Sequence, residues 1–104
     1  MYLNCLKFVD NGVKEIVSIF NNFFEDNATT FIFTSDHGMT NWGSHGSGSK
    51  HETETPFIAW GAGIKTNIQE VDLQQTDITP LLSTLIGIDF PINSIVSIYV
   101  FISC

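Results

Sequence analysis

The sequence predicts an α/β fold, and three observations lead to that prediction. An apolar stripe with steps of three and four residues runs through residues 3–24 and is typical of an amphipathic helix. Two short runs rich in β-branched and aromatic residues, 30–34 and 56–60, are typical of strands. A further apolar segment, residues 77–86, precedes a glycine as helices often do. The expected order is therefore helix, strand, loop, strand, helix.

The first predicted helix has one apolar face. Polar residues occupy the remaining faces, and the apolar stripe consists of Leu3, Leu6, Val9, Val13, Ile16, Val17, Phe20 and Phe24. We interpret this stripe as a packing surface, because a helix of this pattern stabilises itself by covering its apolar face. The helix begins almost at Met1 without a capping residue before it, and residues 25–28 then turn the chain into the first strand.

The two predicted strands enclose a polar loop. Residues 30–34 are expected to form a buried core strand that ends abruptly at Ser35. Pro56 is expected at the first position of the second strand, where its missing N–H donor is tolerated. The glycines of residues 61–63 then end this strand.

The last part of the chain predicts a connection followed by a helix. Residues 64–75 are polar, with a short strand expected near Val71. Thr76 or Asp77 then begins a helix that ends at Gly87. We interpret Asp77 as a helix cap rather than a metal ligand, because capping accounts for it without an ion.

The loop between the strands carries candidate metal ligands. Asp36 and His37 directly follow the first strand, and His45 lies further along in a glycine-rich stretch. Neighbouring side chains of a strand point to opposite faces, so Asp36 and His37 can reach one ion only where the pleat breaks. Gly38, which is free to adopt positive φ, is expected to permit that break. A carboxylate oxygen with imidazole nitrogens suits zinc, or less commonly manganese.

Simpler interpretations exist for the same loop. Asp-His-Gly also occurs in ordinary turns in which Asp caps the turn and His is solvated. We interpret His51 as a solvated loop residue, and Trp42 and Trp60 as packing residues. Residues 41–55 include almost no aliphatic side chains, so only local hydrogen bonds or a bound ion would hold this stretch in place.

Composition and charge exclude several functions. A chain of 104 residues has room for one small domain at most. A net charge of -7 with four basic residues argues against a nucleic-acid surface or a polybasic membrane anchor. Cys5 and Cys104 lie at opposite ends and predict neither a disulfide framework nor a zinc knuckle. Neither a signal peptide nor a membrane-spanning run of about 20 apolar residues is expected here.

Five short motifs together resemble one known family. They are TSDHGMT at 34–40, GSHG at 43–46, ETETP at 52–56, WGAG at 60–63 and DITPLL at 77–82. This combination resembles the metal-binding region of GPI ethanolamine phosphate transferases, which belong to the alkaline phosphatase superfamily. The resemblance implies that residues 1–94 are the C-terminal part of an alkaline-phosphatase-like, three-layer transferase domain. Residues 95–104 would then be a divergent apolar tail that forms either a strand or an aggregation-prone end.

The resemblance also implies a reaction that uses two zinc ions. In this family, a threonine attacks the phosphodiester of phosphatidylethanolamine, and the phosphoethanolamine then passes to a mannose of the GPI precursor. Carried over by position, Asp36 and His37 would serve the zinc that also holds the nucleophile, and His45 would serve the second zinc. Glu52 matches a carboxylate of the family motif whose role is open. The implied location is the lumenal side of the endoplasmic reticulum membrane.

No residue of the chain matches the nucleophilic threonine of the family. Thr34 and Thr40 adjoin the site, but their positions differ from that of the nucleophile. We therefore expect the 104-residue chain alone to be inactive. Three alternatives remain: a non-catalytic metal-binding or interaction module, a poorly folding α/β fragment with an incomplete sheet, and another phosphodiesterase or sulfatase of the superfamily. Asn27-Ala28-Thr29 is a candidate N-glycosylation acceptor.

Overall fold

The computed structural model describes residues 1–66 and 72–94. Its elements are α1 (Tyr2–Phe24), β1 (Thr30–Thr34), α2 (Lys50–Thr53), β2 (Phe57–Gly61) and α3 (Ile78–Ile86), with a 3-10 turn at Gln75–Asp77. The predicted α/β order is confirmed, and the short helix α2 is an addition to it. The strand expected near Val71 and the tail of residues 95–104 lie outside the described residues, so both stay predictions. In the described part, no helix has the length and hydrophobicity needed to cross a bilayer.

β1 and β2 pair as a two-stranded antiparallel sheet. Thr30 lies opposite Gly61, and Thr34 lies opposite Phe57. Phe31 and Trp60 face each other across the sheet with their rings stacked, at a centroid distance of 5.4 Å. Because the strands run in opposite directions, the loop of residues 35–56 leaves and returns at the same edge of the sheet.

The strands are less buried than the sequence predicts. We expected β1 to be a buried core strand, but residues 30–33 are half-buried and Thr34 is exposed. The physical reason lies in the small size of the sheet. In the described part of the chain, each strand has a single hydrogen-bonded neighbour, and few side chains cover either face. β2 shows the same half-buried pattern, with Ile58 and Gly61 exposed.

α1 has no buried residue along its 23 residues. The predicted packing surface makes contact near the C-terminal end of the helix, where the Phe20 ring meets Phe31 of β1 edge-on at a centroid distance of 6.2 Å. Most of the stripe is exposed to solvent. As expected, Met1 provides no side-chain cap, and α1 ends at Glu25 in the left-handed region, with φ of 51°.

α3 supplies the most buried part of the described structure. Leu81 is 2% exposed, and Pro80 and Ser83 are also buried. The helix ends as predicted at Gly87, whose φ of 71° is readily available to glycine. Asp77 occupies the N-cap position of α3 as predicted, but its side chain makes no capping hydrogen bond to that helix. Its Oδ2 instead accepts the backbone N–H of Gln74 at 3.0 Å, at the start of the 3-10 turn.

Candidate metal centre

Asp36 and His37 bring their side chains together directly after β1. The Nε2 atom of His37 lies 3.8 Å from Oδ2 of Asp36. Oδ1 of Asp36 accepts the backbone N–H of His37 at 3.0 Å and the Ser35 hydroxyl at 3.3 Å. The side chain of Asp36 is 86% exposed. The charge of the adjacent His37 lowers the pKa of Asp36, and backbone hydrogen bonds lower it further. Asp36 is therefore an ionised, accessible oxygen donor at neutral pH.

The contact with the backbone selects one tautomer of the neutral His37 ring. Its Nδ1 lies 2.7 Å from the carbonyl oxygen of Gly38. A carbonyl oxygen can only accept a hydrogen bond, so Nδ1 must carry the proton in this contact. In the neutral ring, Nε2 is then unprotonated and faces the Asp36 carboxylate. Two neighbouring side chains thus converge as the sequence predicts.

The prediction that Gly38 adopts positive φ is wrong. Gly38 does not belong to the glycines with positive φ. A glycine is required there because the α2 backbone approaches it closely. A Cβ atom on Gly38 would clash with the carbonyl oxygen of His51 and would lie 2.8 Å from that of Glu54. The Gly38 N–H donates to the Glu52 carbonyl oxygen at 2.8 Å.

His45 stacks on His37. The two imidazole rings are almost parallel, with an angle of 5° between their planes and 4.4 Å between their centroids. His45 itself is exposed on its outer side. All three predicted ligands therefore lie in one group, with His37 in the middle.

The group does not form a single three-ligand site. In residues 1–66 and 72–94, no three His, Cys, Asp or Glu side chains are arranged to hold one ion. The stacking explains this result, because a nitrogen lone pair lies in the plane of its ring and the two planes are parallel. The Asp36 carboxylate and His37 Nε2 are therefore paired with each other, and His45 joins them through its ring.

Glu52 lies apart from these ligands and is buried, with 3% exposure. Its carboxylate accepts hydrogen bonds from Ser44, Ser47 and Ser49 in the glycine-rich stretch. The Ser47 and Ser49 hydroxyls, followed by smaller contributions from their N–H groups, lower the pKa of Glu52 to about 2. Glu52 is therefore an anion that organises the loop.

One predicted residue, His51, remains, and three further residues support the site although the sequence analysis did not identify them. His51 is exposed as predicted, but it lies in α2 rather than in a loop. Ser47 and Ser49 were missed as partners of Glu52, although Ser49-x-x-Glu52 has the spacing of a capping box. Gln75 was also missed: its Nε2 donates to the carbonyl oxygen of Asp36 at 2.5 Å. No local sequence signal could identify that bond, because it joins positions far apart in the chain.

Comparison with protein families identifies the class of this chain. The family model described as Sulfatase matches residues 1–88. This match covers most of the chain, which therefore belongs to the sulfatase family of the alkaline phosphatase superfamily.

Individual relatives are more specific than the family model. GPI ethanolamine phosphate transferase 1 of Homo sapiens is 50% identical over 115 residues, which is 90% of this chain and 12% of the relative. The protein of the same name in Mus musculus gives the same identity and coverage, and that of Schizosaccharomyces pombe is 39% identical over 90% of this chain. The resemblance seen in the sequence motifs is thereby confirmed. The chain spans 12% of the length of these relatives, and no solved structure matches it.

Proposed function

We propose that this chain is part of a zinc-dependent transferase that moves phosphoethanolamine from phosphatidylethanolamine to a mannose of the GPI-anchor precursor. The similarity to GPI ethanolamine phosphate transferase 1 supports the reaction class. The structural observation that carries the proposal is the grouping of Asp36, His37 and His45 at one edge of the sheet. These residues are the ligands in this proposal.

The residues present fit zinc. Metal-binding histidines usually donate their second ring N–H to a backbone carbonyl or a carboxylate, as His37 does to Gly38. The free Nε2 and the Asp36 oxygen are both zinc ligand types. In this proposal, Asp36 and His37 would hold one zinc, and His45 would contribute to a second. Manganese is the second choice.

Zinc would activate a threonine hydroxyl as a nucleophile and stabilise negative charge on the phosphoryl oxygens. Residues of this chain keep the proposed zinc ligands in the required ionisation state, tautomer and place. Asp36 stays ionised, the Gly38 carbonyl fixes the tautomer of His37, and Gln75 holds the Asp36 backbone.

The nucleophilic threonine lies outside these 104 residues in this proposal. The Thr40 hydroxyl is already occupied, since it accepts the Ser44 N–H at 3.1 Å and lies 2.8 Å from the Ser44 hydroxyl. We therefore expect no turnover by the 104-residue chain. Zinc-dependent turnover that is abolished by Asp36→Ala would contradict this expectation.

A chimaera tests the transferase activity. Residues 1–94 would replace the matching segment of the human relative in cells that lack that enzyme, and the transfer of phosphoethanolamine to the GPI precursor would be measured. We expect the chimaera to restore transfer, and Asp36→Ala and His45→Ala to abolish it. The matched control is His51→Ala, which should keep activity because the His51 side chain is exposed to solvent on α2. A stable chimaera without activity, or one in which Asp36→Ala stays active, would contradict the proposal.

A second measurement tests the proposed location at the lumenal side of the endoplasmic reticulum. Asn27 is exposed in the turn between α1 and β1, where an N-glycan has room. In sealed microsomes, we expect the segment to resist added protease and to carry a glycan that Asn27→Gln removes. Digestion of the segment without detergent would contradict the lumenal location.

A further inference from the structure

We infer that Glu52 is a positioning residue that joins the two halves of the site. Its backbone carbonyl holds the half that contains His37, and its carboxylate holds the serine segment (residues 44–49), which carries His45. The role of metal in this inference rests on the proposed function. The hydrogen bonds themselves do not.

The carboxylate of Glu52 collects the donors of the serine segment. Oε2 accepts the Ser47 N–H at 3.2 Å, the Ser47 hydroxyl, the Ser49 N–H at 3.2 Å and the Ser49 hydroxyl at 2.8 Å. Oε1 accepts the hydroxyl of Ser44, the neighbour of His45, at 3.4 Å. Contacts on both sides of His45 thus lead to one side chain.

The backbone of Glu52 reaches the other half of the site. Its carbonyl oxygen accepts the Gly38 N–H at 2.8 Å. The Gly38 carbonyl oxygen in turn accepts the Nδ1 proton of His37 at 2.7 Å. Hydrogen bonds through Gly38 therefore connect Glu52 to His37, and the hydrogen bond to Ser44 connects Glu52 to the residue that precedes His45.

Burial makes the role specific to this carboxylate. Glu52 is 3% exposed, and a buried anion needs donors around it. Hydrogen bonds to an ionised acceptor are stronger than those between neutral groups. Glu54, two residues further along, is different: its side chain is 66% exposed and pairs with Lys50 at 3.3 Å. Glu54 therefore provides a matched control.

The two halves should respond differently to substitution of the side chain. Glu52→Ala keeps the carbonyl that binds Gly38 but removes the acceptor of the serine segment. His37 should stay in place while His45 is released. Glu52→Gln should lie between Ala and the native residue, because its amide has one oxygen instead of two.

The first test is NMR of the full chain without metal. In Glu52→Ala, we expect the Ser47 and Ser49 amides to exchange roughly tenfold faster or more, while the Gly38 amide is unchanged. The ring contact between His37 and His45 should disappear. Glu54→Gln should change none of these signals. A His37–His45 contact that persists in Glu52→Ala would overturn the inference.

The second test adds zinc and follows the same ring signals. In the native chain, we expect the His37 and His45 rings to respond together. In Glu52→Ala, His45 should require about 10–100-fold more zinc, while His37 keeps its response. An equal response of His45 in both proteins would overturn the inference. If neither ring of the native chain responds to zinc, the proposed function fails, and the metal-free NMR test still decides the role of Glu52.

A milder variant covers the case in which Glu52→Ala fails to fold. Ser47→Ala with Ser49→Ala removes two hydroxyl donors but keeps both backbone donors and the native carboxylate. We expect a weakened His37–His45 contact and faster exchange in the serine segment. Native exchange and ring contact in this double variant would contradict the positioning role.

Discussion

α1 and the loop of residues 35–56 acquire their structure in opposite ways. α1 has the strongest apolar pattern of the chain, yet none of its residues is buried. The loop is polar and glycine-rich, yet it contains the buried Glu52 and a dense set of internal hydrogen bonds. Apolar periodicity therefore predicts that a helix forms, but it does not show which segment covers the apolar face. A few polar residues at the right spacing, in contrast, can organise a loop through their own hydrogen bonds.

The largest expected effect comes from substituting Gly38 in the loop, where the backbone of α2 lies close. Gly38→Ala places a Cβ against the α2 backbone, with the Glu54 carbonyl oxygen at 2.8 Å. α2 must move, and the Glu52 carbonyl must leave Gly38. We expect a loss of about 1–3 kcal/mol in the free energy of unfolding, measured by urea denaturation. Native stability together with a native His37–His45 contact would show that the close approach is wrong.

Acid should weaken the loop through Glu52. The folded pKa of about 2 lies below the ordinary value of 4.5, so folding favours the ionised form. This contribution to stability is fully present above pH 4.5 and is lost as the pH falls toward about 2. We expect the Ser47 and Ser49 amides to lose protection across this window. The same titration in Glu52→Gln should lack this component; identical acid profiles in both proteins would contradict the assignment.

Gln75→Ala should give a smaller effect at the sheet edge. The substitution removes the hydrogen bond from Nε2 to the Asp36 carbonyl oxygen. We expect a loss of about 0.5–1.5 kcal/mol, toward the lower end because the contact is exposed. Urea denaturation measures the loss, and Thr76→Ala serves as the control at an exposed neighbouring position. Equal stability of the two variants would show that the hydrogen bond of Gln75 does not support the site.

The smallest expected effect has the opposite sign and lies in α1. No atom lies within 4 Å of a Cβ placed on Gly12. Alanine there should lower the entropy cost of forming the helix, so Gly12→Ala should stabilise the chain by about 0.5–1 kcal/mol. Far-UV circular dichroism during thermal unfolding measures the gain. Destabilisation would contradict the open space beside Gly12.

The elements of the fold could be predicted from local sequence patterns. The period of α1, the β-branched and aromatic residues of β1, and the glycine that ends α3 each act within a few residues. Burial could not be predicted in the same way, because it depends on which other segments cover a face. β1 was therefore expected to be buried and is half-buried.

The candidate site was predictable in its ligand types but not in its internal support. Asp36, His37 and His45 follow from the chemistry of their side chains and the position of the loop. The capping-box spacing of Ser49 and Glu52 could indicate one of these supports, but neither the stacking of the two rings nor the hydrogen bond between Gly38 and Glu52 follows from sequence spacing. Gln75 reaches Asp36 from a distant part of the chain, so only the folded structure reveals it.

The contact between the rings of His37 and His45 is the most direct test of this account. Nuclear Overhauser effects between the two rings should be measured in the full chain at neutral pH without metal, with exposed His51 as the internal reference. The account predicts a clear effect between His37 and His45, and none that involves His51. If all three rings behave as independent, solvated side chains, the loop does not assemble the site.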